Sequence, residues 1–213
     1  KLLYYNASKS LAQMFDRQIQ NFTQKPLQSI AKLFLKFISP NQMTLIGFSF
    51  GILMCISIVI DQYLIGIIFL FLNRLSDGLD GAMARLTAPT PLGGYLDIVL
   101  DFLVYGGFVL SFGITDQNNT FLSMVLLFCY IGTGTTFLAK AAILPSLSQQ
   151  NHNKNIPKSF YYAVGLVEGT ETIVFMILCL LFPNIFNYLS SIFIILCLIT
   201  IVIRIFVCYK KFN

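Results

Sequence analysis

Four aspartates, Asp77, Asp80, Asp97 and Asp101, stand close together in a chain of 213 residues that is 56% hydrophobic. Asp77 and Asp80 are three apart and Asp97 and Asp101 four apart, so each pair shares one face of a helix. A short turn carrying Pro89 and Pro91 separates them, which puts both pairs at the same end of two consecutive antiparallel helices. The four carboxylates can then converge. An ionised Asp at mid-membrane costs about 2.5–3.5 kcal/mol, and four together repel one another. Arg74, Arg85 and Lys140 are the nearest bases, too few and too scattered to neutralise the group. Hard divalent cations resolve the conflict, because oxygen donors without His or Cys select Mg²⁺, Mn²⁺ or Ca²⁺ over zinc. Mg²⁺ keeps positions open for phosphate oxygens, so the expected chemistry is phosphoryl transfer.

The residues between the acids fit a phosphorylated ligand. Gly78, Gly81 and Ala84 form a stripe poor in side chains beside Asp77 and Asp80, where a ligand can approach the helix backbone. Taken alone, such a stripe is more often a helix-packing surface. Arg85, one turn beyond Gly81, is suited to grip a phosphate with two parallel hydrogen bonds, and the combination favours the ligand.

These residues must be carried by membrane helices. Charged residues make up 11% of the chain, against about 25% in soluble domains, and the mean hydropathy is +0.77. The expected fold class is an all-α integral membrane protein with six transmembrane helices, near 41–61, 63–84, 92–115, 119–144, 158–182 and 184–208. The second and third carry polar residues at one end. With six spans and a cytoplasmic N-terminus, all 14 Lys and Arg fall on or near the cytoplasmic side, and the opposite connections hold only Asp61 and Asp116 as charges. Both termini and the acid cluster are therefore expected to be cytoplasmic. Ahead of the spans, Phe15, Ile19, Phe22, Ile30, Phe34 and Phe37 recur at near-helical spacing among Lys and Gln. This predicts an amphipathic helix on the inner leaflet, with packing on the inner ends of the spans as the alternative. The division is residues 1–38 as the interfacial segment and 39–213 as the membrane domain.

Other features carry less. Cys55, Cys129, Cys179, Cys197 and Cys208 lie in apolar stretches with no C-x-x-C pair, so they read as small buried hydrophobes. His152 stands alone in a polar loop. The first residues are polar and basic, so no cleavable signal peptide is expected. No nucleic-acid partner is expected either.

The string Asp77-x-x-Asp80-Gly81-x-x-Ala84-Arg85, then seven residues, then Gly93-x-x-x-Asp97-x-x-x-Asp101, resembles the full signature of the CDP-alcohol phosphatidyltransferase family, with no departure. The stretch "SPNQMT" from Ser39 to Thr44 is similar to the motif that opens the family's first span, and the six-span pattern and basic amphipathic N-terminus fit as well. The resemblance implies cleavage of the pyrophosphate of a CDP-linked lipid or alcohol, release of CMP and transfer of the phosphoryl group to an acceptor hydroxyl. It implies that Asp77, Asp80, Asp97 and Asp101 hold two divalent metals, Mg²⁺ or Mn²⁺, and that Asp101 is also the general base. It places Asn41, Thr44, Gly78, Gly81, Ala84, Arg85, Thr90 and Gly93 at the CDP donor, and it implies a homodimer.

The acceptor is less legible. Lys140 and Arg204 are cationic residues on the catalytic side, where the resemblance places acceptor-phosphate binding; the alternative is snorkelling to the headgroups. Glu168 and Glu171 share one face of the expected fifth helix and could line an acceptor pocket, bind an amine headgroup or pair with Arg204 or Arg74. "GLVEGTET", "KSFYY" and "IGTGTTFLAK" resemble a bacterial inner-membrane subgroup of the family, which brings a location but no acceptor. The leading expectation is an enzyme acting on CDP-diacylglycerol and a polar alcohol or its phosphate, among membrane lipids. The alternatives are a CDP-aminoalcohol phosphotransferase acting on diacylglycerol and a cation transporter. A transporter needs acids spread along a route, whereas these cluster at one end.

Overall fold

The computed structural model describes residues 27–150 and 165–212. Those residues form helices and short connections, with no strand among them. We number the helices α1 (27–34), α2 (Pro40–Val59), α3 (Tyr63–Thr87), α4 (Pro91–Thr115), α5 (Gln117–Gln150), α6 (Gly169–Leu181) and α7 (Phe186–Phe212), the last preceded by a 3₁₀ turn at Pro183–Ile185.

Local sequence fixes the helix ends. At the start of α2, Ser39 and Gln42 form a capping box: the Ser39 N–H donates to Gln42 Oε1 at 2.8 Å and the Gln42 N–H to Ser39 Oγ at 3.4 Å. Pro40 takes the first helical position, where its missing N–H costs nothing. The end of α2 is closed by Asp61 at φ 59°, with the Gln62 N–H reaching back to the Ser57 carbonyl at 2.8 Å. Thr90 caps α4, its hydroxyl accepting the Gly93 N–H at 3.0 Å.

Among the described residues, four helical stretches are long and apolar enough to cross a membrane: Pro40–Val59, Pro91–Thr115, Gln117–Ile143 and Pro183–Lys210. They correspond to the expected first, third, fourth and sixth spans, and they make this an integral membrane protein. Two expected spans are not among the four. α3 has 25 residues, but Arg74, Asp77, Asp80 and Arg85 interrupt its apolar run. The fifth is expected over 158–182. Residues 158–164 lie outside the described residues, residues 165–168 are not helical, and α6 has only 13 residues. At 1.5 Å per residue such a helix spans about 20 Å, short of the roughly 30 Å hydrocarbon layer. The break has a physical cause: the Thr200 hydroxyl accepts the N–H groups of both Leu166 and Val167 at 3.0 Å, which removes them from a helix ladder. α5, conversely, continues to Gln150, past residue 144 where the fourth span is expected to end.

The chain packs as two compact units, Lys1–Gly51 with Leu70–Asp101, and Ile52–Phe69 with Phe102–Asn213. In the first, α1 and the turn after it lay Leu27, Ala31 and Leu35 against Met43 of α2 and Leu79, Ala82 and Met83 of α3. The described part of the expected apolar stripe, Ile30, Phe34 and Phe37, is exposed. Residues 14–26, the earlier part of that segment, lie outside the described residues. In the second unit, Phe112 stacks on Phe186 at 4.4 Å and Phe175 on Phe193 at 4.2 Å, with Phe108 tilted against Phe112 at 5.1 Å. Cys129, Cys179 and Cys197 are buried with this core, and Cys55 and Cys208 half-buried; all five thiols are free. Large apolar side chains cover much of the outside, among them Leu64, Phe71, Phe121, Phe128, Ile131 and Val202, as lipid contact requires.

Candidate active site

The four aspartates all belong to the first unit, Asp77 and Asp80 on α3 and Asp97 and Asp101 at the start of α4. Asp77, Asp97 and Asp101 each offer a carboxylate oxygen, and those oxygens lie within 4.8 Å of one another. Arg74, one turn before Asp77, bridges two of these acids. Its Nη2 donates to Asp101 Oδ1 at 2.6 Å and its Nη1 to Asp101 Oδ2 at 3.3 Å, and Nη1 lies 3.8 Å from Asp77 Oδ2. One guanidinium does not balance four carboxylates. The cluster therefore retains negative charge in a site shaped entirely from oxygen donors.

Asp80 stands apart from the three-oxygen group. Its carboxyl turns toward the Thr44 hydroxyl and the Gly81 N–H. The expected single cluster of four is thus a group of three with a fourth acid beside it. Asp80 is 7% exposed, and its Oδ2 has no hydrogen-bond partner. A buried, unpartnered carboxylate oxygen is costly unless something positive meets it. Together with the three converging oxygens of its neighbours, it fits a hard divalent cation.

The expected donor residues also fall within the first unit. A Cβ added to Gly93 would lie 3.0 Å from Asn41 Oδ1 and 3.1 Å from Thr90 Oγ1, so Asn41, Thr90 and Gly93 meet where α2 and α4 begin. Thr44 donates its hydroxyl to the Pro40 carbonyl at 3.1 Å and stands beside Asp80. Arg85 folds back over Gly81, its Nη1 3.3 Å from where a Cβ would be. A Cβ at Gly78 would meet the Leu27 side chain at 3.5 Å, an ordinary contact distance. Ala84 is half-buried one turn from Gly81.

The expected acceptor residues lie in the second unit. Arg204 does not snorkel. It is 8% exposed, donates Nη1 to the Thr133 carbonyl at 2.9 Å, places Nη2 4.0 Å from Glu168 Oε1 and lies over the Phe137 ring at 6.0 Å. Glu168 caps α6 rather than sharing a helix face, and its N–H donates to Glu171 Oε2 at 3.0 Å. Of the pairings open to these acids, the structure contains Glu168 with Arg204. Lys140 is half-buried on α5.

Sequence reasoning missed three polar residues that organise these regions. Asn73 holds Arg74, Thr200 holds the connection at residues 165–167, and the Thr133 carbonyl holds Arg204. A signal existed for two of them. Asn73 directly precedes Arg74, and Thr200 lies four residues before Arg204, on the same helix face in an otherwise apolar run.

A helical integral membrane protein whose converging carboxylates can take a divalent cation, with glycines and an arginine beside them, is built for phosphoryl chemistry. The chain belongs to the CDP-alcohol phosphatidyltransferase family, whose model matches residues 37–206. It is similar to the inner membrane protein YnjF of Escherichia coli (strain K12), 43% identical over 187 residues that cover 85% of this chain and 89% of that protein. It is also similar to two archaeal proteins over about half its length. One is the bifunctional IPC transferase and DIPP synthase of Thermococcus kodakarensis, 32% identical over 49% of this chain and 24% of that protein. The other is the archaetidylinositol phosphate synthase of Pyrococcus horikoshii, 32% identical over 51% of this chain and 60% of that protein.

Proposed function

We propose that this protein transfers the phosphatidyl group of CDP-diacylglycerol to a polar alcohol or alcohol phosphate and releases CMP. The observation that carries the reading is the convergence of Asp77, Asp97 and Asp101 oxygens within 4.8 Å, on the spacing of the family signature. Asp77, Asp80, Asp97 and Asp101 would hold the divalent ions, Mg²⁺ or Mn²⁺. Bound there, such ions neutralise the pyrophosphate and stabilise the departing CMP. The chain's own residues do the rest. Arg85, lying over the side-chain-free Gly81, is placed to grip a donor phosphate, and Asn41, Thr44, Thr90 and Gly93 form the wall where α2 and α4 begin. Asp101 takes the proton of the acceptor hydroxyl as it attacks phosphorus.

The name of the Pyrococcus horikoshii relative makes an inositol phosphate the first acceptor to test. Lys140 and Arg204, with Glu168 and Glu171, are the residues assigned to it. The name of the Escherichia coli relative supports an inner-membrane location. Within that membrane we assign six crossings, with α3 and the segment containing α6 as the two beyond the four apolar helices. The N-terminal segment lies at the cytoplasmic interface, where the exposed Ile30, Leu33, Phe34 and Phe37 would meet lipid. The test is CMP release by purified protein from CDP-diacylglycerol with Mg²⁺ or Mn²⁺, across glycerol 3-phosphate, serine, inositol phosphate and choline, with the lipid product weighed by mass spectrometry. Release of CMP with one acceptor supports the proposal. No release with any acceptor, or diacylglycerol consumed from CDP-choline instead, would overturn it.

A further inference from the structure

Asn73 and Arg74 stand just before the acid motif and form no part of it. Asn73 is 3% exposed. Its Nδ2 donates to the Gly47 carbonyl at 2.8 Å, a backbone group of α2 that cannot swing away. Gly47 permits this approach, since a Cβ there would lie 3.0 Å from Ser76 Cβ. Asn73 Oδ1 then accepts the Arg74 Nε–H at 2.8 Å. With Nε held, the opposite edge of the guanidinium faces Asp101 with both terminal nitrogens, and Nη1 also faces Asp77. Backbone, amide, guanidinium and carboxylate form one fixed chain.

We propose that Asn73 and Arg74 are a positioning device for the acid site, with two separable effects. The fork on Asp101 holds that carboxylate in a single orientation. The charge of Arg74 is a resident monocation against which any divalent cation must bind, so it weakens metal affinity and keeps the ion exchangeable. The two effects can be parted because charge and fork are different properties. Lysine keeps the charge but cannot bond Asn73 and both Asp101 oxygens from one rigid plane.

This inference rests on the reading of the acids as cation ligands. The experiment is Mn²⁺ binding by the full chain in detergent, read from the spectrum of free Mn²⁺, with CMP release measured in parallel. Removing a positive charge this close to the ligand oxygens should tighten Mn²⁺ binding by about tenfold in Arg74→Gln and in Arg74→Met, the latter keeping the side chain's length and apolar packing. Arg74→Lys and Asn73→Ala should keep Mn²⁺ affinity within about threefold while CMP release falls at least about tenfold, because Asp101 is no longer held. Unchanged or weaker Mn²⁺ binding in Arg74→Gln or Arg74→Met overturns the charge effect. Full turnover in Arg74→Lys and Asn73→Ala overturns the orienting effect. A wild-type protein that neither binds Mn²⁺ nor releases CMP would overturn the proposed function and this inference together. A wild type that does both, beside variants that change neither, overturns this inference alone.

Discussion

Changing Asp101 to Asn keeps the shape of the side chain and removes its charge, and the structure sets what should follow. Asp101 accepts two guanidinium hydrogen bonds, at 2.6 and 3.3 Å. An amide offers one oxygen to that fork and turns two hydrogens against the other nitrogen. A hydrogen bond to a charged group contributes about 1.5–3 kcal/mol, and the 28% exposure of the Asp101 side chain puts this one at the low end. Against that loss stands the repulsion relieved when one of four crowded carboxylates goes. The metal-free variant should therefore unfold within about 1 kcal/mol of the wild type. Turnover should behave differently. A well-placed base is worth about 10²–10⁴ in rate, so CMP release should fall at least about a hundredfold, or about 2.7 kcal/mol of barrier. Asp77, Asp80 and Asp97 remain to recruit the metal, so CDP binding with Mn²⁺ should persist at reduced affinity. The assays are CMP release under rate-limiting chemistry, CDP binding with Mn²⁺, and thermal unfolding with and without Mn²⁺. Near-normal turnover would refute Asp101 as the base. Complete loss of CDP binding would make it mainly a metal ligand, and the proton would leave by another route.

Gly93→Ala should raise the KM for the CDP donor, since its Cβ would sit 3.0 Å from Asn41 Oδ1 and 3.1 Å from Thr90 Oγ1; an unchanged donor KM would remove that wall from the donor site. Gly165→Ala should cost about 1–3 kcal/mol in thermal unfolding, because its Cβ would run into Thr200 Cγ2 and lie 3.0 Å from Arg204 Nη2; a neutral result would mean the connection does not dock on α7 as described. Tyr130→Phe should be neutral or stabilising by up to about 1 kcal/mol, since the Tyr130 hydroxyl is buried without a partner while its ring packs edge-on against Phe193; a clear loss of stability would reveal a partner for that hydroxyl. A cysteine placed near Asp116 should react with an impermeant thiol reagent from outside the cell, and one near Asn151 should not; the reverse labelling would overturn the proposed orientation and six crossings together.

The acids were readable from sequence because charge in an apolar chain is expensive and spacing of three and four leaves few ways to arrange it. The helix starts were readable for the same local reason. The first and third spans, expected to begin near residues 41 and 92, begin at Pro40 and Pro91. Two things were not readable, and each depends on residues far apart in the chain. Asp80 lies outside the group of three, beside the Thr44 hydroxyl of another helix. The expected fifth helix breaks at residues 165–168 because a hydroxyl 33 or 34 residues away takes two of its N–H groups. For the N-terminal segment the sequence left both covers open; Ile30, Phe34 and Phe37 are exposed while Leu27 and Ala31 pack against Leu79, Ala82 and Met83. Periodicity identifies an apolar face; it does not say whether protein or lipid will cover it.

The buried Arg204 and the half-buried Arg74 show how surroundings set what the same residue type does. Arg204 has a backbone carbonyl at 2.9 Å, one carboxylate at 4.0 Å and an aromatic ring at 6.0 Å. Its charge is answered within the protein, and Gly165 leaves the room for it, so it fastens a connection to α7. An acceptor phosphate bound there would have to share it with Glu168. Arg74 sits among more negative charge than it can answer. Its fork satisfies Asp101, reaches Asp77 only at 3.8 Å, and leaves an Asp80 oxygen with no hydrogen-bond partner. Added positive charge would stabilise a site in that condition, and on the inference above Arg74 would keep a bound ion exchangeable. Excess acid over base beside a fixed guanidinium suits the first unit to the metal and phosphate proposed for it; in the second, protein groups already answer the Arg204 charge, and the proposed acceptor phosphate would compete with them. The sign and surplus of local charge, more than the presence of arginine, separates the two.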